Sequence, residues 1–252
     1  MKNILLSIVL LASVSANAVA GPIYLRSVVD APWGVSTNEA AMDGVFGAGN
    51  WSDLRYETVD TTNLFSAVNH LIYMEGSDNN ADELEAFIAA NQIAMENWVA
   101  NGGRLLLNAA PNEGDGMAFG FGVSLNFEDF GNAVTAADPA HAIFNGPFAV
   151  TGSAFTGSSF SHASVSGTGL NALILDEDLD AVLAEMVWGN GLVLFGGMTT
   201  SNFQTPNAFE LRENILYYTA NTLLQTQSVP APAGLFVLLT GLAGLVLVRR
   251  KS

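Results

Sequence analysis

The sequence contains no cysteine. That absence removes disulfide staples, thiolate metal sites, iron–sulfur clusters and a cysteine nucleophile together. Positive charge is nearly as scarce: eight Lys and Arg stand against 24 Asp and Glu, giving a formal charge of −16 and a pI near 4.2. Such a balance repels nucleic acid and anionic membrane surfaces, so no nucleic-acid partner is expected. Charged residues make up only 13% of the chain, while half of the 252 residues are apolar and the mean hydropathy is +0.33. Disorder needs the opposite balance, and a packed protein is expected. No internal period of about 20–50 residues recurs, which leaves a solenoid or propeller without support.

The two ends read as addresses. Lys2 precedes the apolar run Ile4 to Ala12, and small residues follow as Ala16-Asn17-Ala18 and Ala18-Val19-Ala20. This is the layout of a secretory signal peptide over residues 1–20, which implies export through the Sec translocon. At the other end, a linker over residues 225–232 leads into an uncharged apolar run and then Arg249-Arg250-Lys251. Ala231 to Val248 is 18 residues, which as a helix spans about 27 Å, close to the hydrocarbon thickness of a bilayer. A transmembrane helix with a basic tail is therefore expected over residues 233–252, and its basic end should stay in the cytoplasm.

Val229-Pro230-Ala231-Pro232, the Gly-containing apolar run Leu238 to Leu245 and terminal Arg249, Arg250 and Lys251 resemble the PEP-CTERM class of sorting signals, in its VPLPA-type variant. Ala231 stands where the commonest form of that motif carries Glu. The resemblance implies a Gram-negative bacterium, a transient inner-membrane anchor, cleavage by an exosortase-like enzyme near the proline motif, and delivery to the cell surface or extracellular matrix. Exopolysaccharide and biofilm are the associations it carries.

Between the ends, residues 21–228 keep all 24 acidic residues but only Arg26, Arg55, Arg104 and Arg212, a net charge of −20 (24 acidic against 4 basic). One α/β domain over residues 21–224 is the simplest count. Ile23 to Val29, Leu54 to Val59, His70 to Met74 and Arg104 to Leu107 read as strands, with a helix from Asn38 to Phe46 between the first two. Leu84, Phe87, Ile88, Met95, Trp98 and Val99 share one face of a long helix, which Asn80 or Asp82 can cap and Gly102 can end. That strand, helix, Gly102-Gly103 turn and following strand form a βαβ unit, whose strands are parallel. Later strands are expected at Gly120 to Phe127, Ala172 to Leu175, Ala181 to Trp188 and Gly191 to Phe195, the last pair joined at Asn190-Gly191. An amphipathic helix from Phe209 to Leu224 uses Leu211, Ile215, Tyr218 and Leu223.

Trp98 to Leu107, Asp138 to Pro147, and Gly189 to Gly197 with Asn214 to Tyr218 resemble the class I glutamine amidotransferase-like fold. The resemblance implies a flavodoxin-like open, mainly parallel sheet with helices on both faces. It also places a nucleophilic cysteine in the turn after the strand Arg104 to Leu107. Here that turn reads Asn108-Ala109-Ala110-Pro111-Asn112, with neither thiol nor hydroxyl, so the family's glutaminase chemistry is not expected and no catalytic residue is assigned.

Other chemistry is equally thin. No G-x-S-x-G elbow occurs, and the three histidines are scattered: His70 opens an apolar strand, His141 belongs to the Asp138-Pro139 turn, and His162 in a Ser-rich loop is the least explained. Asp78 to Asp82 imitates half an EF-hand loop but lacks its Gly and closing Glu, so helix capping explains it better. Asp176, Asp178 and Asp180 suit a Ca²⁺ ion, though a solvated acidic loop accounts for them too. In open α/β sheets ligands bind at the carboxyl ends of the strands, where Glu75, Asn108, Asn112, Glu113 and Asp115 fall. Such groups suit sugar hydroxyls or a cation. The expected function is a surface or matrix protein that binds without catalysis and associates with exopolysaccharide; the alternative is an extracellular hydrolase using those carboxylates or a bound metal.

Overall fold

The runs Leu71 to Glu75 and Arg104 to Asn108, with every residue buried, mark strands covered on both faces. The computed structural model describes residues 21–66, 70–114, 116–127, 130–150, 152–157, 159–206 and 208–223. The expected signal peptide over 1–20, Asp115, the expected linker and the expected sorting segment through Ser252 lie outside the described residues.

In chain order the elements are β1 (Ile23–Arg26), α1 (Thr37–Phe46), β2 (Ser52–Arg55), α2 (Thr61–Leu64), β3 (Leu71–Glu75), α3 (Ala81–Ala100) and β4 (Arg104–Asn108). Then come β5 (Met117–Gly120), β6 (Val123–Phe127), β7 (Ala133–Ala136), β8 (Ala154–Gly157), β9 (Ala163–Gly167) and β10 (Asn171–Leu175). The chain closes with β11 (Ala181–Trp188), β12 (Gly191–Gly196), β13 (Gln204–Thr205) and α4 (Phe209–Asn221). Among the described residues no helix is long and apolar enough to cross a membrane.

Ten strands form one sheet in the order β13-β8-β7-β10-β11-β12-β4-β3-β1-β2. From β2 to β12 every pairing is parallel, and the strand order 2-1-3-4-12 is that of a flavodoxin-like sheet. From β12 outward every pairing is antiparallel, so the expectation of a mainly parallel sheet holds for that half and gives way in the other. The reason lies in the crossover. Parallel neighbours β4 and β12 need a long connection, and here it is made of strands β5 to β11 rather than of a helix. The tight link between β11 and β12 is Gly189-Asn190, one residue earlier than the composition indicates, with Gly189 at φ +60 and Gly191 already paired to Trp188.

One face of the sheet, carrying Ile72, Met74, Leu105, Leu107, Val193 and Phe195, packs against α3 and the small sheet β5-β6-β9. All six predicted apolar residues of α3 are buried in that contact. Gly102 ends the helix in the left-handed region at φ +110. The start differs from expectation: Asn80 occupies the cap position without a capping side-chain bond, its amide instead donating to the Ser77 carbonyl at 3.1 Å. The opposite face carries Tyr24, Leu71, Tyr73 and Leu106 under α1 and α4. There α4 buries Arg212, Glu213 and Asn214 along with Leu211 and Ile215, a polar burial that a helical apolar pattern does not register.

Arg104, at the amino end of β4, is 8% exposed, and its Nε and NH1 are buried without an acceptor. Buried donors left unpaired cost about 1–3 kcal/mol. Arg104→Met is therefore expected to raise the denaturant midpoint, by roughly that energy; a lowered midpoint would show that the guanidinium contributes to stability.

Candidate functional site

The strand order reverses between β1 and β3, which places the candidate site at the carboxyl ends of those strands and of β4. Glu75 ends β3 and Asn108 ends β4 directly opposite it. Because side chains alternate along a strand, both share the face of Tyr73 and Leu106, and both are buried, at 1% and 0% exposure. They do not line an open crevice. They form a closed floor beneath the strand ends.

The Glu75 carboxyl is the hub of this floor. Its Oε1 accepts the Ser77 backbone N–H at 2.9 Å, the Ser77 hydroxyl, and the Asn108 amide at 3.3 Å. Its Oε2 accepts the Tyr73 hydroxyl, the Asn38 amide from α1 at 3.2 Å, and the Asn108 amide at 3.2 Å. The direction of the two hydroxyl bonds follows from their other partners. Tyr73 accepts from Arg212 NH1 at 2.9 Å, and Ser77 accepts from the Ala110 N–H at 2.9 Å, so each sends its own proton to Glu75. Both carboxyl oxygens therefore act purely as acceptors, the pattern of a carboxylate, and Arg212 is linked to it through one phenol. Burial pushes the Tyr73 hydroxyl well above the usual tyrosine range, which keeps that phenol protonated.

Asn108 ties the floor to the far side. Its Nδ2 donates to the Met198 carbonyl at 2.9 Å while its Oδ1 accepts the Met198 N–H at 3.1 Å, so one side chain mimics a strand pairing to the segment after β12. A Cβ at Gly196 would sit 2.7 Å from that Oδ1, which is why the position has no side chain.

The turn after β4 is not an elbow. Ala109 and Ala110 are fully buried; Ala109 donates to the Gly196 carbonyl at 2.9 Å, and the Ala110 carbonyl accepts from Asp78 N–H at 2.9 Å. The chain thus continues as an extended, paired segment through Asn112, whose N–H reaches the Asp78 carbonyl at 3.0 Å. Non-glycine residues in the left-handed region at this edge are instead Trp33 (φ 60) and Asp78 (φ 59), and the Trp33 N–H donates to the Asp78 carboxyl at 3.2 Å.

The expected strand-end set therefore separates. Glu75 and Asn108 lie inside. Asn112 is exposed, its amide donating to Asp78 at 2.9 Å. Glu113 accepts the Ala81 N–H at 3.2 Å and so supplies the acceptor at the start of α3 that Asn80 does not. Asp176, 5% exposed, accepts the N–H groups of Asp178 and Asp180 at 3.1 and 2.9 Å, which shapes the turn into β11. Among the described residues no group of three or more His, Asp or Glu is arranged to hold a metal ion.

His162 joins the site without a local sequence signal. It lies beside the turn after β4, its Nδ1 donating to the Pro111 carbonyl at 3.2 Å and its N–H to the Gly197 carbonyl at 3.0 Å. Trp33 and Phe130 both set their rings against the imidazole, with centroids 4.7 and 4.8 Å away, and Phe203 packs on Trp33 at 5.4 Å. These residues come from four separate segments, so no local pattern announces them. Burial holds the His162 pKa below the usual value, against the Pro111 carbonyl and Asp78, which favour the cation. The unfolded chain then takes up this proton before the folded one does. Stability from this group is present above about pH 6.5 and lost as pH falls toward the lowered folded value. His162→Phe should flatten that part of the pH–stability curve between about pH 7 and 5, and an unchanged slope would contradict the assignment.

No protein-family model matches the chain, and no curated protein matches it by sequence. Solved structures do match it in fold. A cytoplasmic protein from Salmonella typhimurium aligns at 12% identity over 80% of this chain and 100% of that one, with a TM-score of 0.51. A putative GMP synthase component from Thermoplasma acidophilum aligns at 12% identity over 78% of this chain and 92% of that one, also with a TM-score of 0.51. A β-galactosidase from Bacillus circulans sp. alkalophilus aligns at 9% identity over 78% of this chain with a TM-score of 0.48, and the chain spans only 30% of that enzyme's length. The likeness to the GMP synthase component fits the amidotransferase-like reading of the parallel half of the sheet, and it concerns fold alone.

Proposed function

We propose that the chain is an exported, exosortase-sorted surface or matrix protein that binds without catalysing and associates with exopolysaccharide. The observation that carries the non-catalytic part is the closed floor at the strand ends. Where the resembling family presents a nucleophile, this chain puts Asn108, Ala109 and Ala110, all buried and all hydrogen-bonded to neighbouring segments. Nucleophilic catalysis needs a reactive atom beside a base. The Ser77 hydroxyl nearby is engaged with Glu75 and the Ala110 N–H. The sorting part rests on the terminal segments of the sequence, Val229 to Pro232 and Arg249 to Lys251.

The test is made on the full chain in its producing cell. The mature protein should begin after Ala20 and end near Val229 to Pro232 by mass measurement, and should sediment with purified exopolysaccharide. A chain intact through Ser252 would overturn the sorting; a chain that stays in the supernatant would overturn the exopolysaccharide association.

A further inference from the structure

We propose that the carboxyl edge of the sheet carries a saccharide-binding site in which His162 Nε2 accepts a hydrogen bond from a sugar hydroxyl while the Trp33 and Phe130 rings lie against the sugar's C–H faces. The proposal rests on the exopolysaccharide reading above and gives it a place on the molecule.

The orientation of His162 is set by Pro111. A carbonyl oxygen only accepts, so Nδ1 carries the proton toward it and Nε2 of the neutral ring presents a lone pair. Among the described residues that atom has no hydrogen-bond partner, and it is not one of the buried unpaired atoms, so it opens to solvent although the residue as a whole is 8% exposed. The surroundings are two aromatic rings, with the Asp78 carboxylate on the Trp33 N–H nearby. Phe130 is 44% exposed while touching the imidazole, and Trp33 is partly exposed on the same ring. Large aromatic faces open to water around one oriented acceptor are the lining of a site for an amphipathic ring.

The Trp33 placement is held at a cost. A tryptophan in the left-handed region stores about 1–3 kcal/mol of backbone strain, and it persists here because the carboxyl of Asp78, a residue whose backbone is also left-handed, accepts the Trp33 N–H. The exposed Asn112 amide donates to the other carboxyl oxygen at 2.9 Å. One oriented acceptor, two aromatic rings and a net negative protein select against anions. An apolar partner would leave Nε2 unpaired. A neutral polyol ring with hydroxyl donors and C–H faces satisfies both the acceptor and the rings.

The experiment titrates the full chain with cellohexaose, mannohexaose and the producer's purified exopolysaccharide, reading heat and tryptophan fluorescence. His162→Phe keeps a ring and removes the acceptor; Phe130→Ala removes an exposed ring and keeps the fold; Val187→Ser, exposed at the opposite edge of the sheet, is the control. The expected result is binding that weakens about tenfold or more in the first two variants while both remain folded, and is retained in the third. Should His162→Phe fail to fold, Phe130→Ala still decides. Equal binding by wild type, His162→Phe and Phe130→Ala overturns the site and leaves the exopolysaccharide association standing. No binding of any of the three saccharides by the wild type overturns both.

Discussion

Glu75→Ala should lower the unfolding free energy by about 3–5 kcal/mol, the range observed when one partner of a buried, hydrogen-bonded charge is removed. The loss is large because the carboxyl is a shared acceptor. Without it, the Tyr73 and Ser77 hydroxyls and the Asn38 and Asn108 amides all keep protons with no buried acceptor in place, and the Arg212 guanidinium keeps its charge without the opposite one. Glu75→Gln is the sharper comparison. It preserves shape and one oxygen but turns an NH2 toward donors that already point inward, so its midpoint should also fall well below wild type. A Glu75→Gln protein as stable as wild type would mean that the hub is not acting as a double acceptor. A loss of that size would assign the Glu75 carboxyl a structural role in the floor.

Phe195→Ala is the second large effect, expected at about 3–5 kcal/mol, or a fall in Tm of roughly 6–20 °C for a chain of this size. Phe195 is fully buried on the α3 face of β12 and stacks with Phe119 at 6.2 Å and meets Phe121 edge-on at 5.7 Å. Those two rings belong to the β5-β6 hairpin region, and Phe121 in turn meets Trp188 at 5.3 Å. Deleting Phe195 leaves a cavity beneath the small sheet as well as removing apolar burial. A loss of less than about 1 kcal/mol would show that the small sheet collapses into the gap without cost. Because β12 and the small sheet are joined through this ring, hydrogen exchange should quicken in β5 and β6 of the variant more than in β1 and β2.

The parallel half of the fold was legible because its signals are local. α3 repeats apolar residues at helical spacing over 20 residues, and β3 and β4 are continuous apolar runs bounded by Gly76 and by Gly102-Gly103. The strand-rich crossover was only partly legible. Val134 and Phe155 are the sole buried residues of the four-residue strands β7 and β8, and so short an alternation does not stand out from a loop. β9 was missed for a different reason: Ala163 and Ser164 are both buried in Ser-rich sequence, where burial follows from contact with β6 and Gly197 and not from hydropathy.

The same division governs the site. Glu75 and Asn108 were found because strand ends are fixed by the strands, yet their role inverted, from groups offered to a ligand to groups that consume one another's hydrogen bonds. That outcome depends on Asn38, Tyr73 and Arg212, which approach from α1, β3 and α4 at separations of up to 139 residues. Likewise Trp33, Phe130 and His162 meet only after the crossover is complete.

The strand-built crossover also bears on when the chain can fold. Residues 109–190, 82 in all, lie between the end of β4 and the start of β12, and the parallel β4–β12 pairing cannot close before they are available. Contacts this distant in sequence slow folding, because the entropy of closing the loop is lost before the contacts repay it. The parallel half of the sheet is therefore completed only when the chain through Gly196, just over three-quarters of the 252 residues, is in place.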